Sequence, residues 1–452
     1  VQPASWRGER DARRGGPVCP QPARPFSEWA HGALAQTGED CLSANVWAPG
    51  ADGSRPVLVF IHGGGWALGW GSNPLLDGTY LAQALDAVVV TMNYRLGSLG
   101  WLWHPDLAAA PSAPPGNWGL LDQLAALRWV AENIAAFGGD PARVTLAGES
   151  AGAGSALHLL AHPEAEGLFG RLIAQSPPLH ELVIDPERGC AWSEALIARL
   201  AGGQSMRDGA DRARAMPAQA IVDAQEDLLG DPAFRGTRGG AMPILDSRTL
   251  PVDPARAPGA RPEVPVLIGT NADEGTFFFR TAGRRPDPDD ERLTQMVAHI
   301  THASDPEKLI EQARAQGHGD NNAALCAIVT EAWFAGPVRR WSAERAAAGA
   351  TVHRYRIDQP SAEDDLGATH SLSVPLLFAS WRDGGVPARL AGDGPDTAAV
   401  SAALAADWGR FVHGEESAWP AIGGGAESLA VYGGPGGPRC VAAAPAASLA
   451  RT

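Results

Sequence analysis

Gly148-Glu149-Ser150-Ala151-Gly152 decides how this chain is read. It is the one Gly-x-Ser-x-Gly in 452 residues, and its flanks give it a structural setting. Arg143-Val144-Thr145-Leu146-Ala147 before it predicts a buried strand. The stretch from Ala151 through Leu157, Leu159 and Leu160 predicts a helix that stops near His162-Pro163. A serine at a sharp strand-to-helix turn is held in strained backbone geometry with its hydroxyl presented. The glycines leave room for the turn, and the helix N-terminus behind it favours negative charge.

Working outward, residues 42–176 alternate between strand and helix signals. Val57-Leu58-Val59-Phe60-Ile61 and Val88-Val89-Val90-Thr91-Met92 are continuous apolar runs, as parallel strands covered on both faces require. Leu120, Leu124, Leu127, Ala131 and Ile134 recur at helical spacing, and Phe137-Gly138-Gly139-Asp140-Pro141 ends that helix. Arg171-Leu172-Ile173-Ala174-Gln175 and Val264-Pro265-Val266-Leu267-Ile268 are further strands, and residues 351–357 alternate like one more. The pattern predicts an α/β chain, a mostly parallel central sheet flanked by helices. Residues 177–262 and 275–350 read as helical or loop excursions within a single domain spanning 1–452. Helix-like and Gly-rich segments finish the chain, with residues 433–438 as a terminal loop.

Composition narrows the chemistry. Thirty-six basic against fifty-one acidic residues leave a net charge of −15, which disfavours nucleic acid and anionic membrane as partners. No run of about 18 apolar residues exists to span a membrane. Lys308 is the sole lysine and lies in the charged stretch after Asp305-Pro306-Glu307, so a P-loop and a Ser-x-x-Lys acylation site are absent. There is no His-Glu-x-x-His and no Cys-x-x-Cys, so neither a metal nor a cofactor is expected. Of the five cysteines, Cys19 and Cys41 bracket a Pro-, Ala- and Gly-rich segment. Spacing alone favours reading them as two buried free thiols.

A serine hydroxyl needs a base to take its proton, and the base needs an orienting carboxylate. In open parallel sheets such groups gather in loops beyond the carboxyl ends of strands. His353 lies inside a strand, His413 in the helical Trp408-Gly409-Arg410-Phe411 segment, and His299 and His302 in an excursion. His370 follows the last good strand and is the candidate base. Asp273 and Glu274, in the loop after an earlier strand, both qualify as the acid. His62-Gly63-Gly64-Gly65-Trp66 follows a strand too, and its glycines let backbone N–H groups approach a substrate oxygen. Each such donor stabilises an oxyanion by roughly 2.7–4 kcal/mol.

Taken together these stretches resemble the type-B carboxylesterase family, the α/β-hydrolases that include cholinesterase-like proteins. Also similar are Glu39-Asp40-Cys41-Leu42, Asn45-Val46-Trp47, Asn93-Tyr94-Arg95-Leu96-Gly97, Gly116-Asn117-Trp118-Gly119-Leu120-Leu121-Asp122-Gln123 and Asp273-Glu274-Gly275. The resemblance implies an α/β-hydrolase fold with helical excursions over the active-site side. It implies a serine carboxylesterase acting on small-molecule esters, with short to medium acyl or aryl groups, through an acyl-enzyme and without a cofactor. By position it makes Ser150 the nucleophile, Glu274 the acid and His370 the base. It also implies amides of Gly64, Gly65 and Ala151 as the oxyanion hole, an electrostatic role for buried Glu149, and a disulfide between Cys19 and Cys41.

Two departures stand out. Family members usually carry several dozen residues before the point matching Ser5-Trp6-Arg7-Gly8, so on this resemblance the chain reads as a fragment or a shortened variant. The family's base is usually followed by Gly and, two further on, Glu, whereas here the run is His370-Ser371-Leu372-Ser373. Carbamates and amides would use the same three groups, and a cholinesterase-like interaction protein that has lost catalysis would lack the serine or the histidine, both kept here. A histidine base must start neutral, so activity is expected to rise with pH through about 6–7. A monomer is expected, and neither a cytoplasmic nor a secreted setting is favoured by sequence. Trp29, Trp66, Trp101 and Trp103 divide between a cleft wall and the core.

Overall fold

The computed structural model describes residues 8, 11–108, 113–201, 205–231, 234, 241–280, 285–423, 428–433 and 439–442. Ser5-Trp6-Arg7 and the Gly-rich run 434–438 lie outside them. Nine strands form one sheet among the described residues: β1 (Ala44–Trp47), β2 (Arg55–Ile61), β3 (Val88–Met92), β4 (Gly139–Glu149), β5 (Arg171–Gln175), β6 (Val266–Asn271), β7 (Val352–Ile357), β8 (Ser428–Tyr432) and β9 (Arg439–Ala442). Their order is β1-β3-β2-β4-β5-β6-β7-β8-β9. The pairs from β3 to β8 are parallel, and the edge pairs β1–β3 and β8–β9 are antiparallel.

The continuous apolar runs have their expected cause. Val57, Val59 and Ile61 of β2 pack on one face with Leu120, Leu124 and Leu127 of the helix Trp118–Asn133 and Leu157 of the helix Ala151–Ala161. Leu58 and Phe60 pack on the other face with Leu404 and Trp408 of the helix Pro395–His413. Both faces of the sheet are therefore dry, and no alternation survives in its central strands.

Boundaries moved where pairing overrode local pattern. β4 begins at Gly139 rather than Arg143, because Gly139 pairs with Arg55 before a register shift. β6 runs on through Gly269, Thr270 and Asn271, which pair with Tyr355, Arg356 and Ile357. β8 and β9 replace the irregular C-terminal segment expected from sequence, and β1 was not read as a strand at all.

Between β5 and β6 the chain forms helices Pro186–Ala201, Met206–Arg214 and Ala218–Leu229. Between β6 and β7 it forms helices Asp290–Thr301, Pro306–Ala315 and Asn321–Val329, with a small core of Leu293, Val297, Leu325 and Ile328. A π-helical turn, Thr330–Ala335, then leads into the helix Gly336–Ala347. Cys19 and Cys41, the pair for which the resemblance implies a disulfide, are both buried, and their sulfurs are not joined in this structure. The Leu96 amide donates to Cys19 Sγ at 3.3 Å.

Candidate active site

β4 ends at Glu149 and a helix begins at Ala151, so Ser150 takes up the whole turn between them, at φ 53° and ψ −123°. The turn is fixed by hydrogen bonds on both sides. Ser150 N–H donates to the Gln175 carbonyl at 2.8 Å, and Gly154 N–H to the Ser150 carbonyl at 2.9 Å. The glycines have a steric cause. A Cβ at Gly148 would overlap the Gly152 backbone, and a Cβ at Gly152 would overlap the Ile61 carbonyl oxygen at the end of β2. Left-handed backbone on a non-glycine residue costs about 1–3 kcal/mol and persists where the surroundings enforce it.

The loop 62–66 leaves β2 directly beside this turn. A Cβ at Gly63 would stand 3.1 Å from Ser150 Cβ and 2.5 Å from Glu149 Oε2. Gly64 and Gly65 follow at φ 110° and 63°, and the Gly64 carbonyl accepts the amides of Ala67 and Leu68. Tyr94 O–H donates to the His62 carbonyl at 3.0 Å, and its ring stacks on the His62 imidazole. The loop at Gly63 and the start of the helix at Ala151 thus both adjoin Ser150.

Glu274 follows β6 and His370 lies in the loop after β7. Ser150 O–H donates to His370 Nε2 at 2.8 Å, and His370 Nδ1–H donates to Glu274 Oε2 at 2.6 Å. Glu274 is fully buried, and its other oxygen accepts Ser176 O–H at 2.5 Å and Asn271 N–H at 2.7 Å. These two partners fix the carboxylate plane, and neither was singled out from sequence. The neighbouring acid does different work: Asp273 Oδ2 accepts the Ala368 amide at 2.9 Å. Asn271 Nδ2 donates to the Thr369 carbonyl at 2.6 Å, and Thr276 O–H lies 2.6 Å from the Leu366 carbonyl. The loop carrying His370 is therefore stitched to the loop carrying Glu274.

Three rings that sequence reading missed surround the His370 imidazole: Phe334 at 4.8 Å, Phe277 at 5.3 Å and Phe278 at 5.5 Å between centroids. Phe334 comes from the π-helical turn. The run Thr276-Phe277-Phe278-Phe279 just after Glu274 was the signal available in the sequence. Trp29 meets Phe277 edge-on at 5.7 Å, whereas Trp66 and Trp101 are buried in the core. Trp103 is half-buried and donates to Asp246 Oδ2 at 2.7 Å.

Glu149 is buried under the site, and Ser371 O–H donates to its Oε1 at 2.8 Å. Burial pushes its carboxyl above the usual range, opposed by His370 and by the Ser371 hydroxyl. The other histidines are held elsewhere. His353 Nδ1 faces the Trp419 carbonyl, His413 Nε2 faces that of Leu85, and His302 caps the helix Asp290–Thr301.

Ser150, His370 and Glu274 thus form a continuous hydrogen-bonded chain at the carboxyl edge of the parallel sheet. Residues 1–413 match the Carboxylesterase family. The chain belongs to that family. It is 35% identical to a para-nitrobenzyl esterase of Bacillus subtilis over 84% of this chain and 75% of the relative. It is 33% identical to a phenmedipham hydrolase of Pseudarthrobacter oxydans over 96% of this chain and 87% of the relative. A crystal structure of a Geobacillus stearothermophilus carboxylesterase superimposes with a TM-score of 0.82 at 34% identity, covering 97% of this chain and 89% of that one. This carboxylesterase thus has the α/β-hydrolase fold and is a carboxylic ester hydrolase acting on small-molecule esters. No described helix is long and apolar enough to cross a membrane.

Proposed function

We propose that the enzyme hydrolyses esters through an acyl-enzyme on Ser150, with His370 as the base and Glu274 as the acid that orients it. The observation that carries this reading is the continuous hydrogen-bond chain from Ser150 Oγ through both ring nitrogens of His370 to Glu274. His370 Nε2 takes the hydroxyl proton as Ser150 Oγ bonds to the ester carbonyl carbon. The amides of Gly64, Gly65 and Ala151 receive the resulting oxyanion. The C–O bond to the alcohol then breaks, and the imidazolium returns its proton to the leaving oxygen. Water enters, gives a proton to Nε2 and attacks the acyl carbon, which releases the acid and restores Ser150.

The aromatic wall of Phe277, Phe278 and Phe334 favours short to medium acyl or aryl groups, a preference in keeping with the para-nitrobenzyl esterase named above. The same reading takes the chain as one domain whose excursions, residues 177–262 and 275–350, wall the cleft. It also takes the enzyme as a monomer, since the large apolar side chains exposed among the described residues, Leu42, Phe137 and Val252, are few. A panel of 4-nitrophenyl esters of graded acyl length, with organophosphorus labelling of Ser150, tests the assignment. Ser150→Ala should abolish turnover and labelling while leaving the melting curve in place. Retained turnover overturns the nucleophile.

A further inference from the structure

The residue after the base carries a conformational cost. Ser371 stands at φ 66°, in the left-handed region, although its side chain has a Cβ. Such a cost persists where the side chain supplies something glycine cannot. What this side chain supplies is one hydrogen bond, from its hydroxyl to Glu149 Oε1 at 2.8 Å.

Glu149 has a demanding position. It is 3% exposed, its Oε2 lies against the Gly63 backbone, and its Oε1 is 3.4 Å from His370 Nε2. Ser150 Oγ, at 2.8 Å, holds the hydrogen-bonding direction of that nitrogen, so Glu149 reaches the imidazole through its field rather than by a bond. The charged groups that act on Glu149 are His370 and Glu274, and the hydroxyls of Tyr94 and Tyr355 lie within its field as neutral groups. No lysine or arginine appears among the groups that shift it. A buried carboxylate in this setting drifts toward its protonated, uncharged form unless a donor sustains the anion.

We propose that Ser371 is a positioning residue: its hydroxyl keeps Glu149 anionic beside His370 Nε2, so that the imidazolium formed during Ser150 attack lies between two carboxylates. Glu274 faces it at Nδ1 and Glu149 at Nε2. The proposal rests on the reading of Ser150 and His370 given above. Without the hydroxyl, Glu149 takes up a proton at neutral pH, the imidazolium loses one partner, and the base becomes weaker.

Ser371→Gly is the decisive variant, because it removes the hydroxyl and relieves the left-handed strain together. The expected result is a melting temperature at or above that of the parent enzyme, with kcat on 4-nitrophenyl butyrate lowered about tenfold and KM within twofold. The acid limb of kcat/KM against pH should move to lower pH, since a less stabilised imidazolium loses its proton earlier. A merely structural role for Ser371 would not move that limb. In a Glu149→Gln background, which removes the charge that Ser371 sustains, Ser371→Gly should change kcat less than twofold. An unmoved acid limb, a limb moved to higher pH, or the same tenfold loss in both backgrounds overturns the proposal. Ser150→Ala run alongside keeps the two claims apart. If it abolishes turnover while Ser371→Gly behaves as the parent, the nucleophile stands and the role of Ser371 falls.

Discussion

Replacing Glu274 by glutamine keeps the side chain's shape and changes only what its oxygens accept. Three donors converge on the carboxylate: His370 Nδ1–H on Oε2, and Ser176 O–H with Asn271 N–H on Oε1. A glutamine has one carbonyl oxygen. Turned toward Ser176 and Asn271 it satisfies two donors, whereas the reverse orientation sets an NH2 group against both. The amide nitrogen therefore faces His370 Nδ1, which must then accept, and the ring proton moves to Nε2. That nitrogen is 2.8 Å from Ser150 Oγ and can no longer take its proton. A base held in the wrong tautomer costs about 10³–10⁴ in kcat, or about 4–5.5 kcal/mol of barrier. Initial rates with 4-nitrophenyl butyrate should show this loss in kcat with KM and melting temperature nearly unchanged. A fall of less than tenfold refutes the reasoning, because it would mean that His370 keeps its tautomer without the carboxylate.

Gly152→Ala should lower the melting temperature sharply, by about 3 kcal/mol or more of stability, because its Cβ would overlap the Ile61 carbonyl oxygen. Gly170→Ala, where nothing lies within 4 Å of a new Cβ, is the matched control and should melt like the parent. Arg345→Met should cost about 3–5 kcal/mol in thermal unfolding, since the buried guanidinium bonds the carbonyls of Pro258, Ala260, Arg261 and Val264 at 2.7–3.0 Å. Acid should destabilise the fold through buried histidines. Burial lowers His62 to about 4 and His158 to about 3, against an unfolded value of 6.5. The unfolded chain therefore binds protons first, so stability present above pH 6.5 is lost as pH falls toward 4, on the order of 3 kcal/mol per site. Melting curves between pH 7.5 and 5 should show a steady decline, and His158→Gln should flatten it.

The sheet was legible where strands are buried on both faces, as at Val57–Ile61 and Val88–Met92, because burial there writes continuous apolar runs. Edge strands leave no such mark. Ala44–Trp47 and Arg439–Ala442 are four residues each, and β1 reads only through its pairing with β3. The loop rule brought Ser150, Glu274 and His370 into view because strand ends are readable from sequence. Ser176, Asn271 and Phe334 were not, because their roles lie in contacts that only the folded sheet creates. Ser176 reaches Glu274 across 98 residues, and Ser371 reaches Glu149 across 222. The residue choice between Asp273 and Glu274 was likewise invisible to spacing. It turns on which carboxylate faces His370 and which faces the Ala368 amide.

The stitching of the two loops has an evolutionary corollary. The excursion between β6 and β7 leaves and re-enters the sheet through neighbouring strands, and its departure point is tied to the base-bearing loop by Asn271, Asp273 and Thr276. Once its ends are pinned, lengthening such a segment costs little, about 0.6 kcal/mol per doubling. On this reading, exchanging the helices Asp290–Thr301, Pro306–Ala315 and Asn321–Val329, which lie between the pinned ends, is expected to leave the spacing of Glu274 and His370 in place. A chimera carrying another member's helices between these two strands is a direct route to new ester preference on an unchanged catalytic frame.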